Sequence, residues 1–95
     1  MSDLGRATLY FYRRDGCHLC DDARQTLQAV LEERAANSQP VPLVREIDID
    51  ADPEAGRNYL ATIPVLVING RELHLASTAR AMRDLLDQTL HTTLV

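Results

Sequence analysis

The sequence predicts an α/β domain in which a mixed four-stranded sheet is covered by helices, with elements in the order β-α-β-α-β-β-α. Three observations carry this prediction. Short apolar runs alternate with amphipathic segments of helical spacing, the pattern of βαβ units. The first two strands are separated by a helix, which makes them parallel through a right-handed crossover. Asn69-Gly70 lies between the last two strands and is a hairpin signal, which makes that pair antiparallel.

The elements follow in order. Ala7 to Tyr12 combines β-forming residues with apolar character, and the polar break from Arg13 to Gly16 marks the loop after this first strand. From Cys20 the apolar positions Ala23, Leu27, Val30 and Leu31 recur at helical spacing, while Arg24, Gln28, Glu32 and Glu33 fill the other faces. That amphipathic helix ends near Asn37. Asn37 to Pro42 has no periodicity and is a loop. Leu43 to Ile49 is a second strand, apolar at its start and alternating at its end. Asp52 caps a short helix with Pro53 at its first position, running to about Tyr59. Pro64 to Ile68 is a continuous apolar strand, expected to be buried on both faces. Arg71 to Leu75 completes the hairpin, with Leu73 and Leu75 expected on the covered face. Ser77 is the expected cap of a last helix whose apolar positions Met82, Leu85, Leu86 and Leu90 share one side. No internal repeat or linker interrupts this order, so the chain reads as one domain over 1–95 with its core at about 7–90.

Composition bounds the function. A chain of 95 residues, 45% hydrophobic, is long enough for one core without disulfide staples and too short for two. Aromatic residues are only 4% and tryptophan is absent, so leucine, valine, isoleucine and alanine must supply that core. The formal net charge of −4 argues against nucleic acid or an anionic membrane as a partner, since both need clustered cations. All 10 basic residues are arginine, which excludes Schiff-base and catalytic-lysine chemistry and leaves bidentate recognition of carboxylates open. Met1 to Arg6 lacks the apolar stretch of a signal peptide, and no later run approaches the ~20 apolar residues of a membrane span. The expectation is a soluble, monomeric, cytoplasmic protein. Thiols stay reduced in that compartment, so an isolated Cys-x-x-Cys is catalytic, redox-sensing or metal-binding more often than structural.

Cys17 and Cys20 are the only 2 cysteines, and they follow directly on the first strand. The thiolate is the nucleophile in disulfide exchange, and a helix N-terminus favours it through orphan N–H groups and the positive end of the macrodipole. Cys17 is therefore the candidate attacker and Cys20, one turn on, its resolving partner. Arg13, Arg14 and His18 can support the thiolate, while Asp15, Asp21 and Asp22 oppose it, so a modest lowering of the Cys17 pKa is expected.

The pair Cys17-His18-Leu19-Cys20 after one strand, with Thr62-Ile63-Pro64-Val65-Leu66 opening another, resembles the glutaredoxin-like branch of the thioredoxin fold over roughly Ala7 to Leu90. The resemblance implies a thioredoxin-like architecture and thiol-disulfide oxidoreductase activity on protein disulfides or glutathione mixed disulfides. It implies that Cys17 is the nucleophile, that Pro64 follows a cis peptide bond facing the thiols, that the Ile63 backbone pairs with an incoming peptide or glutathione, and that Thr62 lines the same groove. Related proteins often place a cation for the glutathione carboxylate where Arg57 stands. No bound cofactor is implied; glutathione enters as a co-substrate. The chain departs from thioredoxins in having Gly16 before the first cysteine and His18-Leu19 between the two. It departs from dithiol glutaredoxins in having Leu75-Ala76-Ser77-Thr78 where they carry Gly-Gly before the last helix. The short members with Cys-His-Leu-Cys are the best match.

Other readings stand beside this one. Free cysteines are often small core residues, which suits Cys20 on the apolar helix face better than Cys17 beside Gly16. A closed zinc site would need His18, His74 or His91 to join the thiols, and none has zinc-motif spacing; no metal is expected. His18 is either a thiolate-tuning group or an exposed first-turn residue. His74 alternates with Leu73 and Leu75, which puts it on the open face of an edge strand, and His91 lies in the tail. Asp48 and Asp50 are read as strand-end turn residues rather than an acid–base pair. Arg57 is either a groove cation or a solvated helix residue. The functional alternative is a thioredoxin-fold binding module that holds a partner without turnover.

Overall fold

The computed structural model describes residues 6–90. His91 and the opening Met1 to Gly5 lie outside them. Strand β1 spans Thr8–Arg13, helix α1 His18–Ala36, β2 Leu43–Asp48, α2 Pro53–Tyr59, β3 Val65–Ile68, β4 Arg71–Leu73 and α3 Ala79–Thr89. The strands form one sheet in the order β2-β1-β3-β4. β1 pairs parallel with β2 and antiparallel with β3, and β3 pairs antiparallel with β4. The mixed sheet and element order are those read from the sequence.

Period-two alternation along β1 divides the molecule into layers. Leu9 and Phe11 are buried on one face, where Cys20, Ala23, Leu27 and Val30 of α1 meet Met82, Leu85 and Leu86 of α3. Each of these larger side chains removed from water contributes about 1.5–3 kcal/mol. Tyr12 faces the other way and stacks on Tyr59 of α2, ring centroids 4.6 Å apart. Among the described residues β2 and β4 are the two edges of the sheet, with Leu43 and Val44 exposed on β2.

The local signals act as their chemistry requires. Asp52 caps α2 by accepting from the Ala55 N–H at 3.2 Å, with Pro53 behind it. Asn69 and Gly70 both take positive φ, 50° and 79°, which gives the two-residue turn the twist of the flanking strands.

Three expectations need correction. β4 stops at Leu73, two residues short of Leu75. Leu75 is not on the covered face: its φ is 51°, which turns its side chain out to 54% exposure, while its N–H bonds back to the Thr62 carbonyl. The cap of α3 is Thr78 rather than Ser77, because the Thr78 hydroxyl accepts from the N–H three residues on, at Ala81, at 3.1 Å. Arg34, on a helix read as amphipathic, is buried; it donates to the Pro40 carbonyl and to Asp87, each at 2.8 Å, clamping α1, the following loop and α3 together.

Candidate active site

The site lies at one end of the sheet, where β1 runs out, β3 begins and β4 ends. Tyr12 pairs with Val65 and Leu66 with Leu73, so the residues just after β1, just before β3 and just after β4 are neighbours. The chain leaves β1 through a turn closed by the Cys17 N–H on the Arg14 carbonyl at 3.3 Å. Gly16 takes φ 80° in that turn, a conformation costly to residues with a side chain.

Cys17 is the N-cap of α1. Its backbone is extended (φ −93°, ψ 105°), its carbonyl accepts from the Asp21 N–H at 3.1 Å, and its sulfur accepts from the Cys20 N–H at 3.1 Å. The helix start thus aims donors at the sulfur, as it does at the oxygen of a serine or aspartate cap. Cys17 and Cys20 are joined in a disulfide with Cα atoms 5.2 Å apart. Cys17 is half-buried and Cys20 fully buried, so an incoming reagent meets Cys17 first.

The segment before β3 is bonded to the stretch after β4. The Leu75 N–H donates to the Thr62 carbonyl at 2.9 Å and the Ala76 N–H to the Pro64 carbonyl at 2.8 Å. Among the described residues neither backbone group of Ile63 between them has a backbone partner. The Ile63–Pro64 peptide is cis. Ile63 and Cys17 both pack against the same core cluster, and Pro64 is fully buried.

The remaining sequence candidates make contacts of their own. Arg14 is exposed and its guanidinium meets Asp50 at 3.0 Å. Arg13 contacts Asp15 at 2.8 Å, Glu46 at 3.2 Å and Asp48 at 3.9 Å. Both arginines therefore arrive with their charge matched by carboxylates. His18 is the exposed first residue of α1. Arg57 is exposed in the last turn of α2 and has no ion-pair partner among the described residues. The Asp48 carboxylate accepts from the Asp50 N–H at 2.9 Å, which is turn stabilisation. Among the described residues no three histidine, cysteine or acidic side chains are grouped to hold a metal ion. An apolar groove of about 410 Å³ between α1 and β2 contains neither cysteine.

A network beside the Thr62–Pro64 segment escaped the sequence reading. His74 Nδ1 lies 2.8 Å from the Thr62 hydroxyl and Nε2 lies 2.7 Å from Glu72, which also accepts from the Tyr59 hydroxyl at 2.8 Å. The bonds from His74 and then Tyr59 hold the Glu72 carboxyl below the ordinary carboxylate range. Burial first, and then the Glu72 contact, push the Tyr59 phenol up to about 12. The available signal was the pairing of Glu72 with His74 on one face of the hairpin; nothing local pointed to Thr62.

A family model described as a glutaredoxin-like domain (DUF836) matches residues 8–94. A crystal structure of a structural-genomics target protein from X. campestris is 34% identical, with 85% of this chain and 97% of that one covered at a TM-score of 0.69. A protein from Nitrosomonas europaea solved by NMR is 24% identical, covering 86% of this chain and 93% of its own, at a TM-score of 0.65. A mutant thioredoxin from Halobacterium salinarum is 21% identical over 98% of this chain and 82% of its own, at a TM-score of 0.64. No curated protein matches the sequence. These likenesses show a thioredoxin-type fold.

Proposed function

The chain belongs to the glutaredoxin-like domain family, and from that premise we propose that it is a dithiol oxidoreductase acting on protein disulfides or glutathione mixed disulfides. The observation that carries this reading is the position of Cys17: it caps α1 with its sulfur, is linked to the buried Cys20, and sits at the same end of the sheet as the open Ile63 backbone.

In the reduced protein the Cys17 thiolate attacks one sulfur of a substrate disulfide. A Cys17–substrate disulfide forms and the other substrate sulfur leaves as a thiolate. The Cys20 thiol loses its proton to solvent and attacks the Cys17 sulfur, restoring the Cys17–Cys20 disulfide and releasing the second substrate thiolate. Two electrons pass from the protein dithiol to the substrate, and an external thiol or dithiol reductant returns them. The Ile63 N–H and C=O offer an extended substrate segment two backbone hydrogen bonds beside the reacting sulfur, with Thr62 in the same groove. His18 and Arg14 flank the entrance, and Arg57 is the cation for a substrate carboxylate. A reducing compartment such as the cytoplasm fits a cycle that starts from the dithiol.

The experiment is a glutathione-linked disulfide reductase assay run beside one coupled to thioredoxin reductase, on wild type, Cys17→Ser and Cys20→Ser. Wild-type turnover with one donor, abolished in Cys17→Ser, is the expected result. Reversible partner binding with no turnover in either assay would replace the enzyme by a binding module.

A further inference from the structure

We infer that His74 is a positioning residue for disulfide exchange, clamped between Glu72 and the Thr62 hydroxyl so that it fixes the 62–64 segment whose free edge receives the substrate. The inference rests on the oxidoreductase reading and adds to it a residue that touches neither sulfur.

Hydrogen-bond accounting assigns the direction of each contact. Glu72 is an ionised carboxylate and only accepts, so the Tyr59 hydroxyl and His74 Nε2–H must both donate to it, at 2.8 and 2.7 Å. In the neutral ring Nδ1 is then left as an acceptor, and the Thr62 hydroxyl donates to it at 2.8 Å. The alternative acceptor for that hydroxyl, the Tyr59 carbonyl, is farther at 3.4 Å. The bonds therefore converge on Glu72, from Thr62 through His74 on one side and from Tyr59 on the other. The rings of Tyr59 and His74, with centroids 5.7 Å apart, pack alongside.

This chain of bonds ties two elements to one short segment: the end of α2 through Tyr59, and the end of β4 and the residue after it through Glu72 and His74, are joined to Thr62, two residues before Pro64. Thr62 is also held by its own backbone, with its N–H on the Tyr59 carbonyl and its carbonyl on the Leu75 N–H, each at 2.9 Å. Side chain and backbone of Thr62 are thus fixed toward α2 and the 74–76 stretch. Ile63, next along the chain, keeps its backbone groups without a backbone partner among the described residues, and these are the groups left for a substrate strand. Loosening Thr62 frees that edge to rotate, which weakens substrate docking and leaves the chemistry at Cys17 unchanged.

The test is steady-state reduction of insulin disulfides with dithiothreitol as donor, on wild type, Cys17→Ser, His74→Ala, His74→Asn, Thr62→Val and the double variant His74→Ala/Thr62→Val. His74→Ala and Thr62→Val are each expected to raise KM about two- to tenfold, the range of one lost hydrogen bond, with kcat and the Cys17–Cys20 midpoint potential unchanged. The double variant is expected to be no worse than the poorer single one, because both remove the same contact. His74→Asn keeps an acceptor facing Thr62 and is expected to recover part of the loss. Wild-type KM in His74→Ala, or effects that multiply in the double variant, would overturn the inference. Full insulin reduction by Cys17→Ser would instead overturn the oxidoreductase reading, and the inference with it.

Discussion

The backbone N–H of Cys20 donates to the sulfur of Cys17 at 3.1 Å, so the first turn of α1 is capped by the atom proposed to do the chemistry. On reduction that sulfur faces the same donor, and a hydrogen bond to an ion is stronger than one to a neutral group. The bond therefore favours thiolate over thiol, joined by the helix dipole at about 0.3–1 kcal/mol. Asp21, an acidic residue in the first turn, and the exposed Asp15 and Asp22 act against both.

The net is expected to favour the anion. Alkylation of the reduced protein with iodoacetamide, followed by mass across pH, should modify Cys17 first, with a midpoint below the free-thiol value of about 8.5. Cys20, with no exposed surface, should react far more slowly. A Cys17 midpoint above the free value would remove the physical basis for its role.

Arg34 and Arg83 both pair with carboxylates across the α1–α3 interface, and burial separates their worth. The Arg34 side chain is 5% exposed, whereas Arg83 and its partner Glu33 are about half in water. Arg34→Ala is expected to lower unfolding stability by on the order of 2 kcal/mol through lost hydrogen bonds and packing, and Arg83→Ala by about 0.5 kcal/mol or less. Urea denaturation of the oxidised proteins gives both numbers; equal losses would show that the Arg34 clamp adds nothing beyond a surface pair.

Acid should weaken the fold partly through Glu46. The Arg24 hydrogen bond, followed by those to Arg13, holds its carboxyl below the ordinary value of 4.5 despite partial burial. A depressed carboxylate contributes stability that is present above its unfolded pKa and lost as pH falls through the folded one. Stability measured by urea midpoint should therefore fall as pH drops below about 4.5, and Glu46→Gln, less stable at neutral pH, should lose less over that interval. Parallel acid profiles for the two proteins would contradict this.

Leu75 combines a φ of 51° with an exposed side chain, so little burial offsets its backbone strain. Leu75→Gly is expected to leave stability unchanged or raise it by about 0.5 kcal/mol, the left-handed penalty slightly exceeding the extra unfolded-state freedom of glycine. A loss of more than about 1 kcal/mol would show that the side chain is held by contacts worth more than its strain.

What the sequence made legible, and what it hid, divides by distance along the chain. Asp52-Pro53 and Asn69-Gly70 state their structures locally, through a side-chain acceptor, a locked φ and tolerance of positive φ, and the elements they open or close fall where those residues put them. The Cys17–Cys20 spacing and the run into Pro64 marked the proposed site for the same reason. Thr78 rather than Ser77 caps α3 because two adjacent hydroxyl residues compete for one position, and packing of Met82, Leu85 and Leu86 sets the phase of the helix. Leu75 followed the alternation of its strand only on paper: the Thr62 carbonyl captures its N–H and turns the chain. The carboxylate partners of Arg14 and Arg34 lie 36 and 53 residues away, and Thr62 lies 12 away from His74 across a turn, separations over which side-chain periodicity carries no information.

The most direct test of the account is the mass of the species formed when reduced Cys20→Ser meets glutathione disulfide or an oxidised peptide. With the resolving thiol gone, the protein is expected to accumulate a stable adduct on Cys17 alone, released by dithiothreitol and absent from Cys17→Ser. If no adduct forms on Cys17 while the wild-type disulfide still reduces and reforms, Cys17 is not the attacking thiol and the proposed exchange cycle is wrong.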